Sequence, residues 1–146
     1  MNKIKITVIG ILFLFGTIVW AHDGKTTKVM EEMIKLHEAL VKESIGKIDT
    51  KKAVELLSNG ADRKKDTEIF KKAIPLAEKL GKSESIQEKR IAYSQLVEAL
   101  STLVGHHDQS KANLFFCPMV KMKWIAKGDK IENPYQKEMR DCGEKL

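Results

Sequence analysis

The chain has 146 residues, 26 of them Lys or Arg and 20 Asp or Glu, for a formal charge of +6. That length fits one domain and excludes a large multi-domain enzyme. Two cysteines are too few for a fold built on disulfides, so a hydrophobic core must carry it; at 42% hydrophobic and 32% charged, the composition is globular with charged faces.

Lys3 and Lys5 precede a nearly unbroken apolar run from Ile6 to Trp20. The run falls short of the roughly 20 residues a spanning helix needs and suits the core of a signal peptide. Val19 and Ala21 supply the small residues of a cleavage site, so residues 1–21 are read as a signal peptide, and 22–146 as a single mature domain beginning at His22. The prediction is a periplasmic protein with no stable membrane insertion after cleavage, in a compartment that permits disulfides. Its basic side chains alternate with acidic ones, as on solvated helix faces, and do not point to nucleic acid.

Four helices are predicted in chain order. Over 26–45, apolar residues recur at Met30, Met33, Leu36, Leu40 and Val41, in steps of three and four that make one buried stripe, and Gly46 ends it. Asp49 or Thr50 caps a shorter second helix carrying Val54, Leu56 and Leu57 and closed by Asn59-Gly60. A third, over 66–80, turns Phe70, Ile74, Ala77 and Leu80 inward, with Gly81 at its C-cap and Pro75 expected to kink or break it. The fourth opens on Ser85-Ile-Gln-Glu88, a capping-box spelling, and carries Tyr93, Leu96, Val97, Leu100, Leu103 and Val104 before Gly105. Residues 105–146 show no long helical period beyond a short helix predicted over 134–142. The expected fold is therefore all-α: an antiparallel, four-helix-like bundle with an irregular C-terminal cap holding Cys and Met.

That cap carries the candidate chemistry. Cys117-Pro-Met119 stands at one end and Met139-Arg-Asp-Cys142 at the other, with Met122 between. Two thiolates and two thioethers meeting at a point would make a soft site selective for Cu(I) over hard cations, and thioethers tilt the choice from zinc to copper. Equally, two cysteines in an exported protein commonly pair with each other. Closing that loop is worth about 3.5 kcal/mol by chain-entropy reasoning, and the methionines would then fill gaps around Trp124 and Tyr135.

His106-His107 could present imidazoles from a polar loop, and His22 could chelate Cu(II) with a free α-amine; these are weaker ligand candidates. His37, on the Met33–Leu40 stripe, reads as a hydrogen-bonded core histidine. The chain contains no Gly-rich phosphate loop, G-x-S-x-G, H-E-x-x-H, C-x-x-C or C-x-x-C-H, and no isolated carboxylate pair, so an enzyme is not expected.

The strings Cys117-Pro118-Met119, Trp124, Asn133-Pro134-Tyr135 and Met139-Arg140-Asp141-Cys142-Gly143 resemble the signature of a bacterial domain-of-unknown-function family. Its members stand alone as exported proteins or are fused to the C-terminus of periplasmic adaptors of copper and heavy-metal efflux pumps. The resemblance spans roughly 25–146, and the Val120-Lys-Met-Lys stretch before Trp124 is shorter and more basic than the family's usual one. It implies copper handling in the envelope, with Cys117, Met119, Met139 and Cys142 as ligands and an efflux component as partner. The competing reading is a disulfide-stapled helical interaction module without metal, docking through the surface around Trp124, Lys127 and Tyr135.

Overall fold

The computed structural model describes residues 24–43 and 46–146. The segment read as a signal peptide, the cleavage expected after Ala21, and His22 lie outside the described residues. Helices α1 (Lys25–Val41), α2 (Lys51–Ser58), α3 (Lys64–Lys82) and α4 (Ile86–Leu100) form where the apolar stripes predict them. Val29, Met30, Met33, Leu36 and Leu40 of α1 meet Leu57 of α2, Phe70, Ala77 and Leu80 of α3, and Tyr93, Leu96, Val97 and Leu100 of α4 in one core.

Local chemistry sets the boundaries. At α4 the capping box forms in full: Glu88 N–H donates to Ser85 Oγ at 3.1 Å, and Ser85 N–H donates to Glu88 Oε2 at 3.1 Å. The start of α2 is fixed by Asp49, whose Oδ1 accepts from Lys51 N–H at 3.0 Å. Contrary to the expected break, α3 runs through Pro75 as one helix. Pro75 and Lys71, whose carbonyl loses its helical donor, are both exposed, so water replaces the missing bond. Gly81 is likewise not a cap but a helical residue, and a Cβ there would run into the Thr50 hydroxyl. That close approach seats α2 on α3.

The all-α expectation fails beyond Gly105. A short 3-10 turn over Ser101–Leu103 leads into strands β1 (Ala112–Cys117) and β2 (Met122–Lys127), and the chain closes with β3 (Glu144–Lys145). The three form one antiparallel sheet of order β2-β1-β3. Phe115-Phe116 and Trp124-Ile125 are aromatic and β-branched residues that suit a pleated surface, and the four residues 118–121 turn one strand into the other. Lys121 N–H closes that turn on the Cys117 carbonyl at 2.8 Å, with Lys121 at φ 56°. The helix expected over 134–142 reduces to a single 3-10 turn, Lys137–Met139.

The sheet lies against α1 and α4 through β2. Phe115 and Trp124 stack at 5.5 Å, and Tyr135 meets Trp124 edge-on at 6.5 Å. The free edge of β2 is closed by tyrosines. Tyr93 O–H donates to the Ile125 carbonyl at 3.2 Å, its oxygen accepts from Ile125 N–H at 3.4 Å, and Tyr135 O–H donates to the Lys123 carbonyl. Both phenols are pushed well up from their ordinary pKa, chiefly by burial, and stay protonated donors. His37 is 3% exposed, as a core histidine should be, and its Nε2–H donates to the Glu132 carbonyl at 2.7 Å.

Candidate functional site

Cys117 ends β1, and Cys142 follows the last 3-10 turn. A disulfide joins them, with Cα atoms 5.5 Å apart, so both sulfurs are spent on each other. Cys142 N–H also donates to the Met139 carbonyl at 3.0 Å, which ties the turn to the bridge.

The methionines beside the bridge are placed differently. Met119, Met122 and Met139 line one surface recess of about 250 Å³, together with Val120, Gln87, Arg90, Tyr135 and Gln136. Met119, at the tip of the hairpin turn, is 72% exposed, whereas Met30 and Met33 in α1 are 0% and 1% exposed. The chain thus uses two methionines as core filler and sets three around an open hollow. Thioether sulfur is neutral, polarizable and soft, so such a hollow offers donors suited to a soft monovalent cation. Arg90 alone brings a full charge to the lining, and Glu43 balances it at 3.2 Å while also meeting Arg140 at 3.5 Å. Arg90 Nε–H donates to the Pro134 carbonyl at 3.1 Å, and Arg140 donates to the Asn133 and Val41 carbonyls at 2.7 Å each. These bonds tie the segment Asn133–Arg140, which carries Tyr135, Gln136 and Met139 of the lining, to α4 and to the end of α1.

The other sequence candidates do not join this place. His106 and His107 are exposed on different hollows, the first beside Arg63, Asp66 and Leu103, the second beside Lys28, Asp62 and Asp108. Among the described residues, no group of three or more His, Cys, Asp or Glu could hold a metal ion. Trp124 and Tyr135 are buried, so only Lys127 of the expected docking surface faces solvent. Trp124 is instead an internal strut, and its Nε1, like Nδ2 of Asn133, has no hydrogen-bond partner. A larger groove of about 710 Å³ runs between α2 and α3, but Lys47, Lys51 and Lys82 on its rim are matched by Asp49, Glu55 and Glu78. It carries no metal donor of the soft kind and no net charge to select a ligand.

Gln87, Arg90 and Gln136 are recess residues that sequence reasoning missed. For Arg90 a signal existed: it stands three residues before Tyr93 and so shares the face of α4 that meets the cap.

No helix of the described residues is long and apolar enough to cross a membrane. No protein-family model, no curated protein and no solved structure matches the chain.

Proposed function

We propose that the chain is an exported, disulfide-stapled module that takes up Cu(I) at the Met119–Met122–Met139 recess, serving the envelope as a copper chaperone or an accessory to metal efflux. The observation that carries this reading is the grouping of the methionines: Met119, Met122 and Met139 border one surface hollow, Met119 exposed and the other two half-buried, whereas Met30 and Met33 lie wholly inside. The ligand set differs from the one the sequence suggested, because Cys117 and Cys142 are paired. The disulfide suits an oxidising compartment, and the family resemblance points towards copper.

The test is a competition titration of Cu(I) between the oxidised protein and a chromogenic chelator. The wild type should bind one ion per chain. The triple variant Met119→Leu, Met122→Leu, Met139→Leu keeps side-chain volume nearly constant and should lose that ion with its fold intact. Equal binding by the triple variant would sink the proposal.

The disulfide itself favours a second reading, a metal-free interaction module whose Met-lined hollow receives a partner. That module would show no Cu(I) binding in the wild type, so the same titration separates the two.

A further inference from the structure

Charge is not spread evenly over the protein. Residues 47–82, which hold α2, α3 and the turns beside them, carry ten Lys or Arg against six Asp or Glu; the other residues from 24 to 146 carry fourteen against thirteen. Within α3, the acids that alternate with lysines along the chain are buried or already engaged. Asp66 is 3% exposed and accepts from Arg63 Nε–H at 2.7 Å. Glu68 meets Lys71 at 2.8 Å, and Glu78 meets Lys82 at 3.9 Å. That leaves Lys64, Lys65, Lys72 and Lys79, all exposed, with no carboxylate in ion-pair reach among the described residues. Lys79 Nζ donates to a neutral group, Oε1 of Gln95, at 3.0 Å.

Their spacing makes a row. Lys65, Lys72 and Lys79 are seven apart, two turns of helix less about 20°. They therefore align along the outer side of α3, with about 10 Å between neighbours and about 21 Å from end to end. Ile69 and Leu76, on the flank of that row, are half-buried and packed on the core. We propose that this face of α3 docks the protein on the surface of an anionic phospholipid bilayer, with the lysine ammonium groups against the lipid phosphates. The proposal stands apart from the copper reading, since none of the four lysines lines the Met119–Met122–Met139 recess.

The chemistry of the face selects this partner over two others. A protein interface draws its affinity from buried aromatic and apolar anchors and is poor in lysine. The exposed large apolar side chains, Ile86, Ile91, Met119 and Leu146, all lie off α3. Nucleic-acid sites add arginine forks or rings on which bases stack. Helix α3 contains no arginine, and its one aromatic residue, Phe70, is wholly buried. A bilayer surface asks for neither anchors nor rings. It presents a plane of negative charge, which a straight row of ammonium groups on flexible stems meets without a shaped pocket. Because Ile69 and Leu76 turn their apolar area to the core, charge and not insertion carries the attraction. Binding should then weaken with salt and be lost on uncharged lipid.

The experiment is vesicle sedimentation with the full chain, comparing phosphatidylcholine vesicles with the same vesicles holding about a quarter phosphatidylglycerol. The apolar run Ile6–Trp20 would meet both lipids alike, so the difference between them reads the contribution of charge. The anionic vesicles should bind about a hundredfold more tightly at about 50 mM salt and lose most of that advantage by about 300 mM. The double variant Lys65→Gln, Lys72→Gln keeps good helix formers at both positions and should weaken anionic-vesicle binding by about 25-fold, each lysine near such a surface being worth roughly fivefold. Lys121→Gln, Lys127→Gln removes the same charge from exposed positions of the cap and should change binding by less than about threefold. Equal losses in the two variants would assign binding to net charge and overturn the docking face. Equal binding to the two kinds of vesicle, or none to either, overturns the proposal outright. A tighter hold on a DNA oligonucleotide than on the anionic vesicles at the same salt would make the face a nucleic-acid site and overturn the lipid one.

Discussion

The helical segment α1–α4 and the cap formed by β1–β3 share one hydrophobic core, but they satisfy their backbones by different means. Helices bond their own main chain, so α1–α4 need from one another only apolar contact along stripes spaced three and four apart. The cap cannot do this: β3 is two residues long, β2 is an edge strand, and the chain between them is mostly turn. Its exposed main-chain groups are instead taken up by side chains, from Tyr93 and Arg90 of α4, from His37 of α1, and from its own Tyr135 and Arg140. A small sheet folds here because the helices complete its hydrogen bonding. The arrangement also leaves a recess at the surface bordered by the cap's three methionines, Met119 exposed and Met122 and Met139 half-buried, while the helices keep Met30 and Met33 inside.

The strongest way to break that pairing is to remove the strut between the regions. Trp124 is wholly buried and stacked on Phe115. Trp124→Ala should destabilise by about 3–5 kcal/mol, measured as a lower urea midpoint. Because β2 rests on α1 and α4, the far-ultraviolet helical signal should shift with the cap in one transition. Helices that unfold at the wild-type midpoint would show the two regions to be independent.

Tyr93→Phe tests the borrowed hydrogen bonds alone, since it keeps the ring. It leaves both the N–H and C=O of Ile125 without their partner in a buried setting. The expected loss is about 1–3 kcal/mol. A change below a few tenths would mean that the hydroxyl is incidental and the edge needs no cover.

How much of this was written in the sequence follows the same division. The helices were legible because periodicity is local: Met30, Met33, Leu36 and Leu40 announce a face without reference to anything distant. Pro75 and Gly81 misled because their outcome is decided by neighbours, solvent for one and Thr50 for the other. The sheet was misread although Leu114-Phe115-Phe116 and Trp124-Ile125 carry strand composition. Each run is short, and a four-residue turn without an Asn-Gly or Asp-Gly signal does not declare a hairpin. At the site, the pairing of Cys117 with Cys142 was legible as one of the two readings of the cysteines, and it forms. The recess was not legible: it brings in Arg90 and Gln87 from α4, which no local pattern links to residues 119–139.

The joint between the regions should be pH-sensitive through His37. Burial lowers its pKa, a shift that the bond to the Glu132 carbonyl only partly opposes. The folded state therefore prefers neutral imidazole, and the unfolded chain takes up the proton first as pH falls. Stability is full above the unfolded value of about 6.5 and declines below it until the folded pKa is passed, where the loss levels off. Urea midpoints measured from pH 7.5 to pH 5 should fall for the wild type and flatten for His37→Gln. A wild-type profile matching that of the variant would remove His37 as the cause.

The smallest expected effect sits wholly in the helical region and serves as the contrast. Ser85 and Glu88 exchange two hydrogen bonds that satisfy otherwise orphaned donors at the start of α4. Glu88 Oε2 accepts from Ser85 N–H and also from Glu84 N–H at 3.1 Å, and these bonds hold its carboxyl below the ordinary pKa, so the box is at full strength near neutrality. Ser85→Ala should cost about 1 kcal/mol, with the Cu(I) binding proposed for the recess unchanged, because none of Met119, Met122 and Met139 stands on α4. Weaker Cu(I) binding in Ser85→Ala would mean that the first turn of α4, which carries Gln87, shapes the recess, and that the helical scaffold and the cap are coupled at that end as well as through Trp124.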